Sequence, residues 1–241
     1  MKKINIICLP FAGGNKYSYR PYSVSSTASL NFVTLEYPGR GSRIKEDLKF
    51  NLDDLVDDLY TQCIALVKEG EYALYGHSMG GLISYLLAKK ILANNLNVPK
   101  HLFVTGTVGP SASVRLEKKR SLLGKEAFLQ EIKDFGGMPE EILKNDELLD
   151  FFEPILRADF TVSESYRHTA TPLLNIPITV ITGSEEDMEI DEIKTWQKET
   201  SEPIDFKVLS GGHFFIYGHV ETILQIISNK LLSVQANDAE G

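Results

Sequence analysis

Cysteine is scarce in this sequence, with two residues in 241. Cys8 and Cys63 each sit in an apolar run, which suits small buried hydrophobes in a reducing compartment better than a disulfide framework. Long hydrophobic runs are missing as well. No stretch reaches the ~18 uninterrupted apolar residues of a membrane span. The opening Met1-Lys2-Lys3-Ile4-Asn5-Ile6-Ile7-Cys8-Leu9-Pro10 imitates a signal peptide. Its apolar run is too short, holds Asn5 and lacks a small-residue cleavage site, so a cytoplasmic protein is expected. An excess of positive charge is absent too: 25 basic against 33 acidic residues leave a net charge of −8. That balance argues against nucleic acid or an anionic membrane as the main partner. No His/Cys/Asp cluster has ligand spacing, so neither a metal nor another cofactor is expected.

What is present is the composition of a soluble globular protein, 43% hydrophobic and 24% charged, which excludes disorder as the main reading. The length suits one domain with a sizeable core. Short β-branched or aromatic runs recur at 4–9, 32–37, 72–75, 102–105, 178–182 and 206–209. They mostly lack alternation, as buried parallel strands do when helices cover both faces. Residues 52–67 carry a 3.6-residue apolar stripe with Asp53, Asp54, Asp57 and Asp58 opposite, the pattern of an amphipathic helix. Residues 82–92 are apolar almost all round, so a deeply packed helix is expected there. Helices are also expected at 195–198 and 220–232. Alternating strand and helix predicts an open, mostly parallel central sheet with right-handed crossovers.

Residues 111–174 break that rhythm. They hold no convincing strand, and Leu148, Leu149, Phe151, Phe152, Ile155, Leu156 and Phe160 are too many apolar positions for one stripe. A helical insertion with its own small core is expected, within a single domain of residues 1–241. The small, polar residues 236–241 are expected to fray.

The strongest local signal is Tyr75-Gly76-His77-Ser78-Met79-Gly80-Gly81. Gly76-x-Ser78-x-Gly80 follows an expected strand and opens an expected helix, the context of a nucleophile elbow. A serine on so sharp a turn occupies strained backbone, and its neighbours two positions away must lack side chains. Of the five histidines, His77 lies inside the elbow, His101 precedes a strand, His168 lies in the insertion and His219 starts the last helix. His213 follows the last strand in Gly211-Gly212-His213, where the base of an α/β-hydrolase falls in the order Ser, acid, His. The acid should follow the strand at 178–182, in Gly183-Ser184-Glu185-Glu186-Asp187. Asp187 is preferred because Asp is commoner in this role, with Glu186 the competitor and Asp159 a weaker candidate. Backbone N–H groups of Met79, just after the nucleophile, and of Ala12, in the paired-glycine loop after the first strand, are the expected oxyanion donors.

Several motifs occur together in order: Pro10-Phe-Ala-Gly-Gly14, Tyr37-Pro-Gly-Arg-Gly41, Gly76-His-Ser-Met-Gly-Gly81, Gly136-Gly-Met-Pro139, Leu156-Arg-Ala-Asp-Phe160 and Gly211-Gly-His213. Their combination resembles the type II thioesterases, the stand-alone editing enzymes of nonribosomal peptide and polyketide pathways. The resemblance runs from about residue 4 to 232. It implies an α/β-hydrolase fold with helices on both faces of the sheet and 111–174 as a helical lid over an acyl chamber. It implies Ser78 as nucleophile, His213 as base, and Met79 and Ala12 as oxyanion donors. The family usually writes its acid loop Gly-x-x-Asp, whereas here Glu186 stands at that spacing and Asp187 one residue later. The implied reaction is hydrolysis of acyl thioesters on the phosphopantetheine arm of acyl or peptidyl carrier proteins, by a monomer. The alternatives are a carboxylesterase or lipase acting on oxygen esters, and a non-catalytic binding protein of the same fold.

Carrier proteins are usually acidic, as the resemblance implies, and would be repelled by this chain's net charge. A local basic patch is therefore expected at Arg115, Lys118, Lys119 and Arg120, with Arg40 and Arg43 adding to it. The alternative is that this charge run is a solvated helix face.

Overall fold

The computed structural model describes residues 3–117, 119–136 and 140–232. Six strands form one sheet: β1 (Ile4–Leu9), β2 (Leu30–Thr34), β3 (Tyr72–His77), β4 (Leu102–Thr105), β5 (Ile178–Gly183) and β6 (Asp205–Leu209). Their order is β2-β1-β3-β4-β5-β6, and every neighbouring pair is parallel. Every residue of β3, β4 and β5 is buried, which explains their unalternated apolar runs. At the edge, β6 is closed to further pairing by charge. Asp205 accepts Lys207 at 3.1 Å and Lys230 at 3.0 Å.

Helices cover both faces. Helix α1 (Arg20–Ser25) and α8 (Val220–Leu232) pack on one side, around Tyr19, Tyr22, Tyr75, Ile223 and Ile227. Helix α2 (Leu52–Glu69) and α3 (Met79–Ala93) pack on the other, where Leu59, Cys63, Leu82, Ile83 and Leu87 meet Ile7, Leu74 and Val104. Asn51 caps α2 by accepting the Asp54 N–H at 3.1 Å. Between β4 and β5 lie α4 (Lys125–Phe135), α5 (Glu140–Leu143) and α6 (Asp146–Ser165). Phe128, Ile132 and Leu156 form a separate cluster there, with Phe152 and Phe160 against it. After β5 come α7 (Ile190–Lys194) and a 3₁₀ turn, Thr195–Glu199.

Two boundaries differ by three residues from the sequence reading. The run at 32–37 reads as strand to its end, but β2 stops at Thr34. Leu35 and Tyr37 stay buried for another reason: the Leu35 N–H bonds Cys8 O at 3.0 Å and the Tyr37 hydroxyl bonds Pro10 O at 2.7 Å. Helix α3 begins at Met79 rather than Leu82, because Met79-Gly-Gly81 is turn-like in composition yet already helical. The short α1 and α7 carry too few residues to show periodicity.

The strand order places the site. The chain leaves β1 towards β2 on one side, and β3 lies on the other. The loops after β1 and β3 therefore part at the carboxyl ends of adjacent strands, the crevice in which open α/β sheets bind ligands. Ser78 ends one of those loops and Ala12 lies on the other.

Candidate active site

β3 ends at His77 and α3 starts at Met79, so Ser78 alone makes the turn. Its backbone sits at φ 55°, ψ −119°, a conformation that an L residue keeps only when its surroundings impose it. The surroundings are the glycines. A Cβ on Gly76 would lie 2.1 Å from Gly80 O, and one on Gly80 would lie 2.0 Å from Leu9 O. Strand, turn and helix can pack this closely only without side chains there. The Ser78 N–H is tied to Thr105 O at 2.8 Å, and its side chain makes no capping bond. Met79 opens α3, so its N–H has no carbonyl partner within the helix.

His213 follows β6 on a loop that Gly211 turns at φ +112°. The structure brings Glu186, not Asp187, to His213: Nδ1 and Glu186 Oε1 are 2.6 Å apart. This corrects the expectation that Asp187 fills the position. The cause is the turn after β5. The Glu186 N–H reaches back to Gly183 O at 3.4 Å, so residue 186 faces the strand end while Asp187 is exposed. Glu186 is further held at Oε2 by the Gly183 N–H at 2.7 Å and the Thr182 hydroxyl at 2.9 Å. Only 2% of its side chain is exposed, against 15% for His213. Gly106, at φ +59°, makes room: a Cβ there would lie 3.2 Å from Glu186 Oε1 and 2.3 Å from His77 Cε1. In the sequence nothing marks Thr182 or Thr105, and Gly106 is marked only as a glycine directly after a buried strand.

The other histidines are placed elsewhere. His77 is fully buried, bonds Thr105 Oγ1 through Nδ1 at 3.0 Å and packs its ring 4.7 Å from that of His213. Burial holds its pKa well below the usual imidazole range, so it stays neutral beside the base. His101 bonds Thr179 Oγ1 at 2.8 Å, and burial pushes its pKa down to about 4. His168 lies near Tyr166, and His219 bonds Ser210. Asp159 is not at His213 either; it is paired with Arg40.

Ser78, Met79, Ala12 and His213 line one cavity with an empty volume of about 830 Å³, its open mouth included. The rest of its wall is mostly apolar, with Ile132 and Phe135 from α4 and Phe152, Leu156 and Phe160 from α6. A carbonyl held beside Ser78 would thus carry an apolar substituent beneath the helices between β4 and β5. Among the described residues no cluster of three or more His, Cys, Asp or Glu could hold a metal ion. No helix among them is long and apolar enough to cross a membrane.

Among the described residues the expected basic patch does not form. Arg40 is buried against Asp159. Arg43 binds Asp58 at 2.6 Å and also Glu46. Arg115 donates to Gly109 O and Thr107 Oγ1, both at 2.8 Å, and burial pulls its pKa down to about 10. Lys119 donates to Glu164 O, and Arg120 binds Glu131 at 2.8 Å while covering the Phe135 ring at 4.7 Å. Lys118, like residues 137–139 of the Gly136-Gly-Met-Pro139 motif, lies outside the described residues. Lys119 and Arg120 join segments between β4 and β5 to one another, and Arg40 ties α6 to the loop after β2. Arg120→Glu is therefore expected to weaken the packing of the segments between β4 and β5 by about 1.5–3 kcal/mol, the worth of a charged hydrogen bond. It should lower kcat/KM equally on carrier-bound and small pantetheine thioesters. A loss confined to the carrier-bound substrate would restore the docking role.

A parallel sheet with its serine raised on a strand-to-helix turn and its histidine after the last strand makes this an α/β-hydrolase. Within that class the sequence is more particular. The chain belongs to the thioesterase domain family, which it matches over residues 4–231, and it is a thioesterase. It is 30% identical to thioesterase PikA5 of Streptomyces venezuelae, across 95% of this chain and 81% of that one. It is 29% identical to the gramicidin S biosynthesis protein GrsT of Aneurinibacillus migulanus, across 97% and 91%. Among solved structures it resembles ClbQ from the colibactin NRPS/PKS pathway, with a TM-score of 0.91 at 29% identity over 98% of this chain and 99% of that one. The type II thioesterase BorB from the borrelidin biosynthetic cluster gives 0.86 at 30% identity over 95% and 93%.

Proposed function

We propose that this thioesterase hydrolyses acyl groups from the phosphopantetheine arm of acyl or peptidyl carrier proteins in nonribosomal peptide or polyketide assembly, as a cytoplasmic monomer. The observation that carries the reading is the placement of Ser78 and the Glu186-bound His213 on one apolar cavity. Relatives named for gramicidin S and borrelidin biosynthesis support the pathway class.

Ser78 is the nucleophile and His213 the base. In the productive tautomer the Nδ1–H of His213 donates to Glu186, leaving Nε2 to accept the Ser78 proton. Attack on the thioester carbonyl gives a tetrahedral oxyanion, which the Met79 and Ala12 N–H groups stabilise. Collapse breaks the carbon–sulfur bond, the pantetheine sulfur takes the proton from His213, and an acyl-serine remains. Water then attacks, giving its proton to His213, and the acid leaves as Ser78 regains its proton. Glu186 accepts the Nδ1–H bond and stabilises the imidazolium.

A hydrolysis panel tests the substrate class. A carrier-bound acyl thioester should exceed the matching oxygen ester in kcat/KM by at least about tenfold, or 1.4 kcal/mol of activation energy. Preference for the oxygen ester would instead assign the chain to the carboxylesterases.

A further inference from the structure

A deeply buried ion pair beside the site has no task in the chemistry. Arg40 and Asp159 are 5% and 2% exposed. Their bonding is bidentate, with Nη1 on Oδ2 at 2.5 Å and Nη2 on Oδ1 at 2.6 Å. The two residues come from separate segments: Arg40 from the loop after β2, Asp159 from α6. Both are also bonded to the loop that carries Ala12. Asp159 Oδ2 also accepts the Gly13 N–H at 2.7 Å, and Arg40 Nη1 also donates to Gly14 O at 3.3 Å.

We propose that Asp159 and Arg40 are positioning residues for the oxyanion donor at Ala12, so that lid helix α6 completes the catalytic apparatus rather than merely covering it. This rests on the reading of Ser78 as nucleophile and of the Ala12 N–H as donor. The geometry follows from the planarity of the peptide. Phe11 to Gly14 form a tight turn, closed by the Gly14 N–H on Phe11 O at 2.8 Å. Gly13 takes φ +77° in it, the third position of a type II turn. Phe11 O and the Ala12 N–H belong to one trans peptide and point in opposite directions. Holding that carbonyl inside the turn therefore aims the Ala12 N–H out of it. Among the described residues this N–H makes no hydrogen bond, and Ala12 lines the cavity with Ser78.

The turn alone is one hydrogen bond around a glycine, which is a weak constraint. Asp159 fixes the next peptide through Gly13, and Arg40 fixes the carbonyl at Gly14. Leu156, one turn earlier on α6, closes the space over the turn: a Cβ on Gly13 would lie 2.6 Å from Leu156 Cδ2. A displaced donor matters because the oxyanion forms only in the transition state, and a misplacement of ~1 Å can cost about 10²-fold. The pair should therefore act on turnover and leave substrate binding alone.

A purely structural ion pair behaves differently. Replacing both members by apolar residues of similar volume is often neutral or stabilising, because no charge is left unpaired. The double variant Arg40→Met/Asp159→Leu separates the two roles, with Asp159→Asn as the milder companion should the double variant not fold. Three quantities are read on a small pantetheine thioester and its analogues: kcat and KM, inhibition by a trifluoromethyl ketone, and the Kd of an unreactive thioether. The ketone forms a tetrahedral oxyanion on Ser78; the thioether does not. The expected result is kcat lowered about 100-fold, ketone inhibition weakened by a similar factor, and KM and thioether affinity within threefold of wild type. Wild-type kcat in the folded double variant would overturn the proposal. So would equal weakening of ketone and thioether, which would mean the cavity itself had been damaged. If Ser78→Ala still turned over, the nucleophile reading would fail. If Ser78→Ala is inactive while the double variant works normally, only the positioning role fails.

Discussion

Ser78→Ala is expected to lower kcat for thioester hydrolysis by about 10⁶-fold, the scale seen when a serine nucleophile is removed from a complete triad. Thermal unfolding should change little. The Ser78 side chain makes no capping bond, and alanine meets the same φ of 55° with a Cβ of the same size. What holds the turn is its neighbours: the Ser78 N–H on Thr105 O and the close packing at Gly76 and Gly80. Activity and stability should therefore separate cleanly. A large fall in Tm would mean that the serine is part of the scaffold. Turnover near wild type would remove it from the chemistry.

Glu186→Gln is expected to lower kcat by about 10⁴-fold, as an amide does in place of a triad carboxylate. The reason is local. Two donors, the Gly183 N–H and the Thr182 hydroxyl, already bind Oε2. A glutamine must offer its single oxygen to them and turn its NH₂ towards His213. His213 Nδ1 would then have to accept, and the ring proton would sit on Nε2, where the base must be free. Asp187→Asn should lower kcat far less, since its side chain is exposed and the His213 Nδ1 bond goes to Glu186. If Asp187→Asn had the large effect and Glu186→Gln the small one, the acid would be one residue further along.

The parts of the fold that were legible in the sequence are those whose signal is local and repeated. β1, β4 and α8 begin and end where their apolar runs do. Ser78 was legible because an elbow needs glycine at fixed offsets, and those offsets are set by backbone contacts of 2.0–2.1 Å to any added Cβ. The carboxylate bound to His213 was harder to place. Adjacent Glu186 and Asp187 are both acidic, and the choice depends on a turn closing from residue 186 to Gly183. The loop's Gly-x-x-acid spacing holds that information, whereas the residue type commoner among triad acids points to Asp187. The cations between β4 and β5 show a different limit. Arg115, Lys119 and Arg120 read as a patch because they are adjacent in sequence, yet each is committed to a partner brought in by another segment: Thr107, Glu164 and Glu131. Arg40 and Asp159, 119 residues apart, gave no joint signal at all, because long-range pairing leaves no spacing to read.

The most direct test of the account is intact-protein mass spectrometry on a mixture of this thioesterase and an acyl-loaded carrier protein. The acyl mass should leave the carrier in the presence of wild-type protein, and rapid quenching should show it transiently on the thioesterase, mapped to the peptide bearing Ser78. Ser78→Ala should leave the carrier loaded and carry no adduct. Loss of the acyl group without any adduct at Ser78, and at the same rate with Ser78→Ala, would contradict the account.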